Sequence, residues 1–137
     1  MPSKNDILIN QYGQGLIGSE PFIAAMSQME EAQKKLFWDE LLFLILQSKP
    51  EATDIAPAIE ASGLKPTFTP CVLLQKGVKP HHLRKIIELP EAESDKALLL
   101  LLSLFKIAYQ RRYLLEKNDP NKWWYWDLSD SANLEKL

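Results

Sequence analysis

Few side chains in this sequence could carry out a reaction. Cys71 is the single cysteine. It follows Thr69-Pro70, a pair that fits the cap and first residue of a helix, and a thiol near a helix N-terminus ionises more readily. His81 or His82 would then serve as its base in a cysteine-dependent enzyme. Against that chemistry, Val72, Leu73 and Leu74 describe a core-facing turn, in which cysteine behaves as a small hydrophobe. Adjacent histidines on a helix point about 100° apart and chelate one metal poorly. A Glu-x-x-His pair of the di-iron type is absent, because Val78 and Lys79 stand three residues before the histidines. His81 and His82 read as solvated first-turn residues. Asp39 and Glu40 could be paired acids, but a solvated stripe on an amphipathic helix explains them. No Gly-rich phosphate loop occurs. The expectation is therefore no catalytic residue, no cofactor and no metal.

Binding chemistry has more to work with. Sixteen basic residues against eighteen acidic give a net charge of −2, so no global field draws nucleic acid or an anionic membrane. The charge is uneven, however. Between Lys76 and Arg112 there are eight basic and four acidic side chains, besides the two histidines. Short helices there could mimic a helix-turn-helix presenting His81, His82, Arg84 and Lys85, which makes a weak nucleic-acid-binding regulator one alternative. A dedicated binder is usually strongly basic, and this chain is not. The most unusual feature is the run Trp123, Trp124, Tyr125 and Trp126. Such a cluster either seals one side of the fold or presents an anchor for a protein partner or a second copy, and Arg111 and Arg112 are placed to stack on its rings.

The elements that position these groups read as helices throughout. A first helix starts at Asn5 or Asp6 and carries Ile7, Leu8, Ile9 and Tyr12, with Gly13, Gly15 and Gly18 weakening its far end. Ser19 caps a short second helix with Glu20 and Pro21 in its first turn. Ser27-Gln28-Met29-Glu30 has the form of a capping box for a third, with Glu30–Lys34 and Glu31–Lys35 as i,i+4 pairs. Leucines, Phe43 and Ile45 between positions 41 and 46 make its far end apolar on every side, so protein must surround it. A fourth helix runs from Thr53 or Asp54 to Gly63. Gly63-Leu64-Lys65-Pro66 recurs fourteen residues later as Gly77-Val78-Lys79-Pro80. Each is a helix stop followed by a short helix. The last long helix begins at Pro90 or Ser94, is acidic at its start and basic at its end, and breaks at Asn118-Asp119-Pro120-Asn121.

The result is an all-α chain, an irregular bundle of about six to seven helices with two long buried ones at about 28–48 and 91–117. It reads as a single helical domain over 1–137, with about 128–137 as a frayed polar tail. At 46% apolar and 25% charged it is not a disordered chain. The stretch between Lys96 and Lys106 spans about 14 Å as a helix, half of a bilayer core, so no membrane span is expected. No secretory signal is visible near the first residues, which leaves the cytoplasm as the default compartment.

The segment Ser62-Gly63-Leu64-Lys65-Pro66-Thr67-Phe68-Thr69-Pro70-Cys71-Val72-Leu73-Leu74 resembles the central motif of an uncharacterised family of small bacterial proteins, known only as a domain of unknown function. Matching pieces are Gln11-Tyr12-Gly13-Gln14-Gly15-Leu16-Ile17, the run from Leu42 to Gln47, Phe105-Lys106-Ile107-Ala108 and the Trp123-Trp124 pair. Together they reach from about Ile7 to Leu128. The resemblance implies a small helical bacterial protein without an assigned activity, and it carries over no catalytic residues. Tyr125-Trp126 departs from the family's pattern, where a more polar pair is expected. The reading that results is a non-catalytic protein-interaction or regulatory module, adaptor-like or immunity-like. Its partner is a protein or a second copy, and its surface is built on Trp123, Trp124, Tyr125, Trp126, Arg111 and Arg112.

Overall fold

The computed structural model describes residues 2–117 and 119–137. Among them are eight α-helices and no strand: α1 (Lys4–Gly13), α2 (Glu20–Gln28), α3 (Glu31–Ser48), α4 (Ala52–Ser62), α5 (Thr69–Gln75), α6 (Pro80–Ile87), α7 (Ser94–Glu116) and α8 (Ser131–Glu135). Turns of 3-10 helix at Glu91–Glu93 and Trp123–Tyr125 lie on either side of α7. The all-α bundle with two long helices is thus the observed architecture.

Helix α7 is the axis of the molecule. Its buried residues include Ala97, Leu98, Leu100, Leu101, Leu102, Leu104, Phe105, Ala108 and Tyr109, which point in every direction around the helix. A helix apolar all round needs neighbours on all sides. It finds them chiefly in α4, then α3, with α1 and α6 completing the ring. The interior they enclose is one continuous cluster reaching from Ile9 to Tyr125. Toward its C-terminal end one face of the helix is left uncovered. Leu114 and Leu115 are 71% and 83% exposed.

Helix starts differ from the sequence expectations because local side chains compete for the same backbone donors. Helix α1 is capped by Ser3, not by Asn5 or Asp6. Asp6 N–H donates to Ser3 Oγ at 3.0 Å and Ser3 N–H donates to Asp6 Oδ2 at 3.1 Å, a reciprocal box. The box expected at Ser27 belongs instead to Glu30 and Gln33. Glu30 N–H donates to Gln33 Oε1 at 3.0 Å, while Ser27 Oγ turns back to the Ala24 carbonyl within α2. With α3 starting one turn later, Lys34 pairs with Glu31 at 3.6 Å and Lys35 with Asp39 at 3.8 Å, replacing the two expected i,i+4 pairs. Ser19 precedes α2 without a side-chain cap bond. Helix α4 begins at Ala52, boxed by Glu51 and Asp54.

The two similar stops are not equivalent. Gly63 closes α4 in the left-handed conformation, φ 79°, and Leu64 folds into the core behind it. Gly77 sits at φ 155°, a more extended bend, and Val78 is only half-buried. Asn118, within the break after α7, lies outside the described residues. In the stretch expected to be a polar tail, Leu128 is 1% exposed and α8 is capped by Asp130, whose side chain accepts the Ala132 N–H at 3.0 Å.

Candidate interaction surface

The aromatic segment lies against the end of α1 and the middle of α7, held there by polar groups. Gln14, just past α1, uses its whole amide. Its Nε2 donates to the Trp126 carbonyl at 2.6 Å and to the Tyr109 hydroxyl at 2.9 Å, and its Oε1 accepts the Leu128 N–H at 2.9 Å. The Tyr109 hydroxyl in turn donates to the Trp124 carbonyl at 2.5 Å. Tyr109 is 1% exposed, and burial pushes its phenol well above the ordinary range. Its ring lies 5.0 Å from that of Tyr125 and 5.8 Å from Tyr113, centroid to centroid.

Close approach of α1 to α7 requires a glycine at the contact. A Cβ on Gly13 would stand 2.9 Å from Tyr109 Cδ1 and 3.0 Å from Phe105 Cε2. Gln110 Nε2 donates to the Gly13 carbonyl at 3.2 Å across the same contact. Gly13 and Gln14 therefore seat α1 on α7 and pin the aromatic segment. Neither Gln14 nor Tyr109 stood out in the sequence, since a polar residue after a helix and a tyrosine within a leucine-rich one look ordinary.

The four aromatic residues do not share one environment. Tyr125 is buried, and Trp123, Trp124 and Trp126 are half-buried. Trp126 Nε1 donates to the Asp119 carbonyl at 3.2 Å, and Lys136 Nζ sits 5.9 Å from its ring centroid. The tryptophans border a groove of about 550 Å³ that is closed on its other sides by Phe43 and Gln47 of α3, Pro2, and the C-terminal Lys136 and Leu137. Phe43 is 64% exposed. The apolar end of α3 was expected to be enclosed, and Leu41, Leu42, Leu44 and Ile45 are buried, chiefly by α7 and α1; Phe43 is the exception and faces outward beside the tryptophans.

Arg111 and Arg112, adjacent in sequence, diverge. Arg111 reaches across to α4, where it pairs with buried Asp54 and lies 3.6 Å from Glu51. Arg112 stays on the aromatic side, 3.6 Å from Glu116. Burial raises the Tyr125 phenol, and the Arg112 guanidinium beside it partly opposes that shift. Thus Arg112 accompanies the segment, and Arg111 ties two helices together elsewhere.

The other chemical candidates sit in structural roles. Cys71 is fully buried, and burial pushes its thiol upward, the opposite of an activated nucleophile. His82 Nδ1 lies 2.6 Å from the Gly77 carbonyl and its ring packs edge-on to His81, with centroids 4.3 Å apart. Asp39 pairs with Arg84 at 2.8 Å. Glu40 binds the Ser3 hydroxyl, and burial raises its carboxyl above the ordinary range. In the basic stretch between residues 76 and 112, Arg84, Lys85, Lys96, Arg111 and Arg112 have carboxylate partners within 4 Å, whereas Lys76, Lys79 and Lys106 have none among the described residues. Among the described residues no helix is long and apolar enough to cross a membrane, and no group of three or more His, Cys, Asp or Glu side chains could hold a metal ion.

No match is found among curated proteins, and none among solved structures. A family model described as "Family of unknown function (DUF5958)" matches residues 4–127, nearly the whole helical bundle from α1 through the aromatic segment. The chain belongs to that family.

Proposed function

We propose that the protein is a non-catalytic interaction module that engages an apolar segment of a partner protein through the aromatic groove. One observation carries this reading: Phe43, 64% exposed, stands beside three half-buried tryptophans around a single groove. Large apolar side chains grouped on a surface and backed by a rigid support are the usual composition of binding hot spots. The support comes from Gln14 and Tyr109, which hold the segment by its backbone and leave the outer faces of the indoles available. Asp6, Gln47 and Lys136 supply the polar rim of this surface; Arg112 lies behind it, beside buried Tyr125 and Glu116, and Arg111 contributes to α4 packing instead. An adaptor or immunity-like role is compatible with the same surface, as is pairing with a second copy.

The test is native mass spectrometry of the full chain purified gently from its own source, followed by the same measurement on Phe43→Glu and Trp123→Glu. A stoichiometric complex that both substitutions weaken by about tenfold or more is the expected result. A complex indifferent to both substitutions, or a monomer without any partner, overturns the reading. A dimer sensitive to both would identify the partner as a second copy.

A further inference from the structure

A second hollow, of about 430 Å³, lies away from the aromatic groove and shares no lining residue with it. Leu64, Lys65, Thr67 and Phe68 line it from the turn between α4 and α5, and Glu93 and Lys96 from the start of α7. The turn is firmly built. Gly63 at φ 79° reverses the chain, Ser62 Oγ accepts the Leu64 N–H at 3.1 Å, and Phe68 N–H donates to the Lys65 carbonyl at 3.0 Å. Gln75 Nε2 donates to the Pro66 carbonyl at 2.9 Å, fastening the turn to α5. Leu64 is buried and gives the hollow an apolar base, while Phe68, 39% exposed, leaves an aromatic ring open beside it.

The charges around this hollow do not cancel. Lys96 pairs with Glu93 at 3.7 Å, but Lys65 has no carboxylate within ion-pair distance among the described residues. Among the side chains that line the hollow, two ammonium groups stand against one carboxylate. We propose that the hollow binds a small organic anion, whose acid group lies on Lys65 and Lys96 with the Thr67 hydroxyl at hand and whose flat apolar body packs on Phe68 and Leu64. The volume suits a ligand of that size, and an apolar wall with a few convergent polar groups is the ordinary design of such sites. Charge-assisted contacts to the acid give orientation, and the ring supplies burial.

Amide chemical-shift titration of the full chain tests this. The probes are phenyl phosphate and phenylacetate, with inorganic phosphate and benzyl alcohol as the two halves of a ligand. One of the aromatic acids should give saturable shifts confined to residues 63–68 and 93–96, and which acid does so identifies the anion as phosphate or carboxylate. Each half-ligand should bind at least about tenfold more weakly. Lys65→Met with Lys96→Met should weaken the aromatic acid by about tenfold or more, and Phe68→Leu should also weaken it with the charges intact. Trp123→Glu should change nothing, which separates this site from the aromatic groove. Absence of saturable shifts with either acid overturns the proposal. So does equal affinity for either half-ligand, or unchanged affinity in the lysine variants once circular dichroism shows them folded.

Discussion

The leucine-rich stretch of α7 and the aromatic run that follows it are both apolar in sequence, yet they meet opposite fates. Leu98, Leu100, Leu101, Leu102 and Leu104 are wholly buried, whereas Trp123, Trp124 and Trp126 keep part of their surface in water. Four helices enclose the leucines, and their burial is non-directional: any element of the right shape would cover them. The aromatic segment is covered from one side and owes its position to directed hydrogen bonds between its backbone and the side chains of Gln14 and Tyr109. Apolarity alone does not say which residues end inside. Coverage decides it, and here polar pins decide which faces are left over.

Three substitutions test whether the two regions are held by different forces. Leu101→Ala removes wholly buried side-chain volume between helices and should cost about 3 kcal/mol in urea unfolding. Its loss should appear equally in every probe, because the core melts as one unit. Gln14→Ala deletes three hydrogen bonds and leaves the Trp126 carbonyl and Leu128 N–H without their partner, a cost of about 2 kcal/mol. In that variant tryptophan fluorescence should shift to the red at lower urea than the helical signal falls. Coincident transitions would mean the segment is as integral as the core, and the distinction would fail.

Tyr109→Phe is the mildest change, about 1 kcal/mol from the lost hydroxyl contacts, and it carries a pH signature. Burial raises the folded-state value of Tyr109, and also of Tyr12, Tyr113 and Tyr125, above the ordinary 10.0. The phenols therefore ionise more easily in the unfolded chain. Their contribution to stability is whole below about pH 10 and is lost as pH climbs from there toward the folded-state values. Thermal melts of the natural chain should begin a modest decline near pH 9, as the buried Cys71 thiol ionises more easily unfolded, and fall steeply above about pH 10 as the phenols join it. Tyr109→Phe should flatten that alkaline fall, and an unchanged slope would remove Tyr109 as its main cause.

Much of the fold was legible in local chemistry. The leucine run of α7, its acidic start and the Gly63 stop with Leu64 folding back all act within a few residues, so spacing reveals them. Helix starts were legible only to within a turn, because Ser3 and Glu30 outcompeted neighbouring residues of similar capping ability. Of the candidate surface, the tryptophans announced themselves by composition. Phe43 and Gln14 did not, since their partners lie far away in the chain. Arg111 was misplaced by the same cause: its direction depends on where Asp54 sits, and that is a property of the α4–α7 packing.

By itself, then, the sequence determined what depends on neighbours along the chain: helical period, stops and overall charge. Only the tertiary structure decided which apolar groups remain exposed, that Gly13 is where α1 touches α7, and that Lys65 and Lys96 line one hollow. The physical reason is coverage. A side chain's exposure and electrostatic partners are set by whichever distant element packs over it, and the spacing of residues along one segment carries no record of that neighbour.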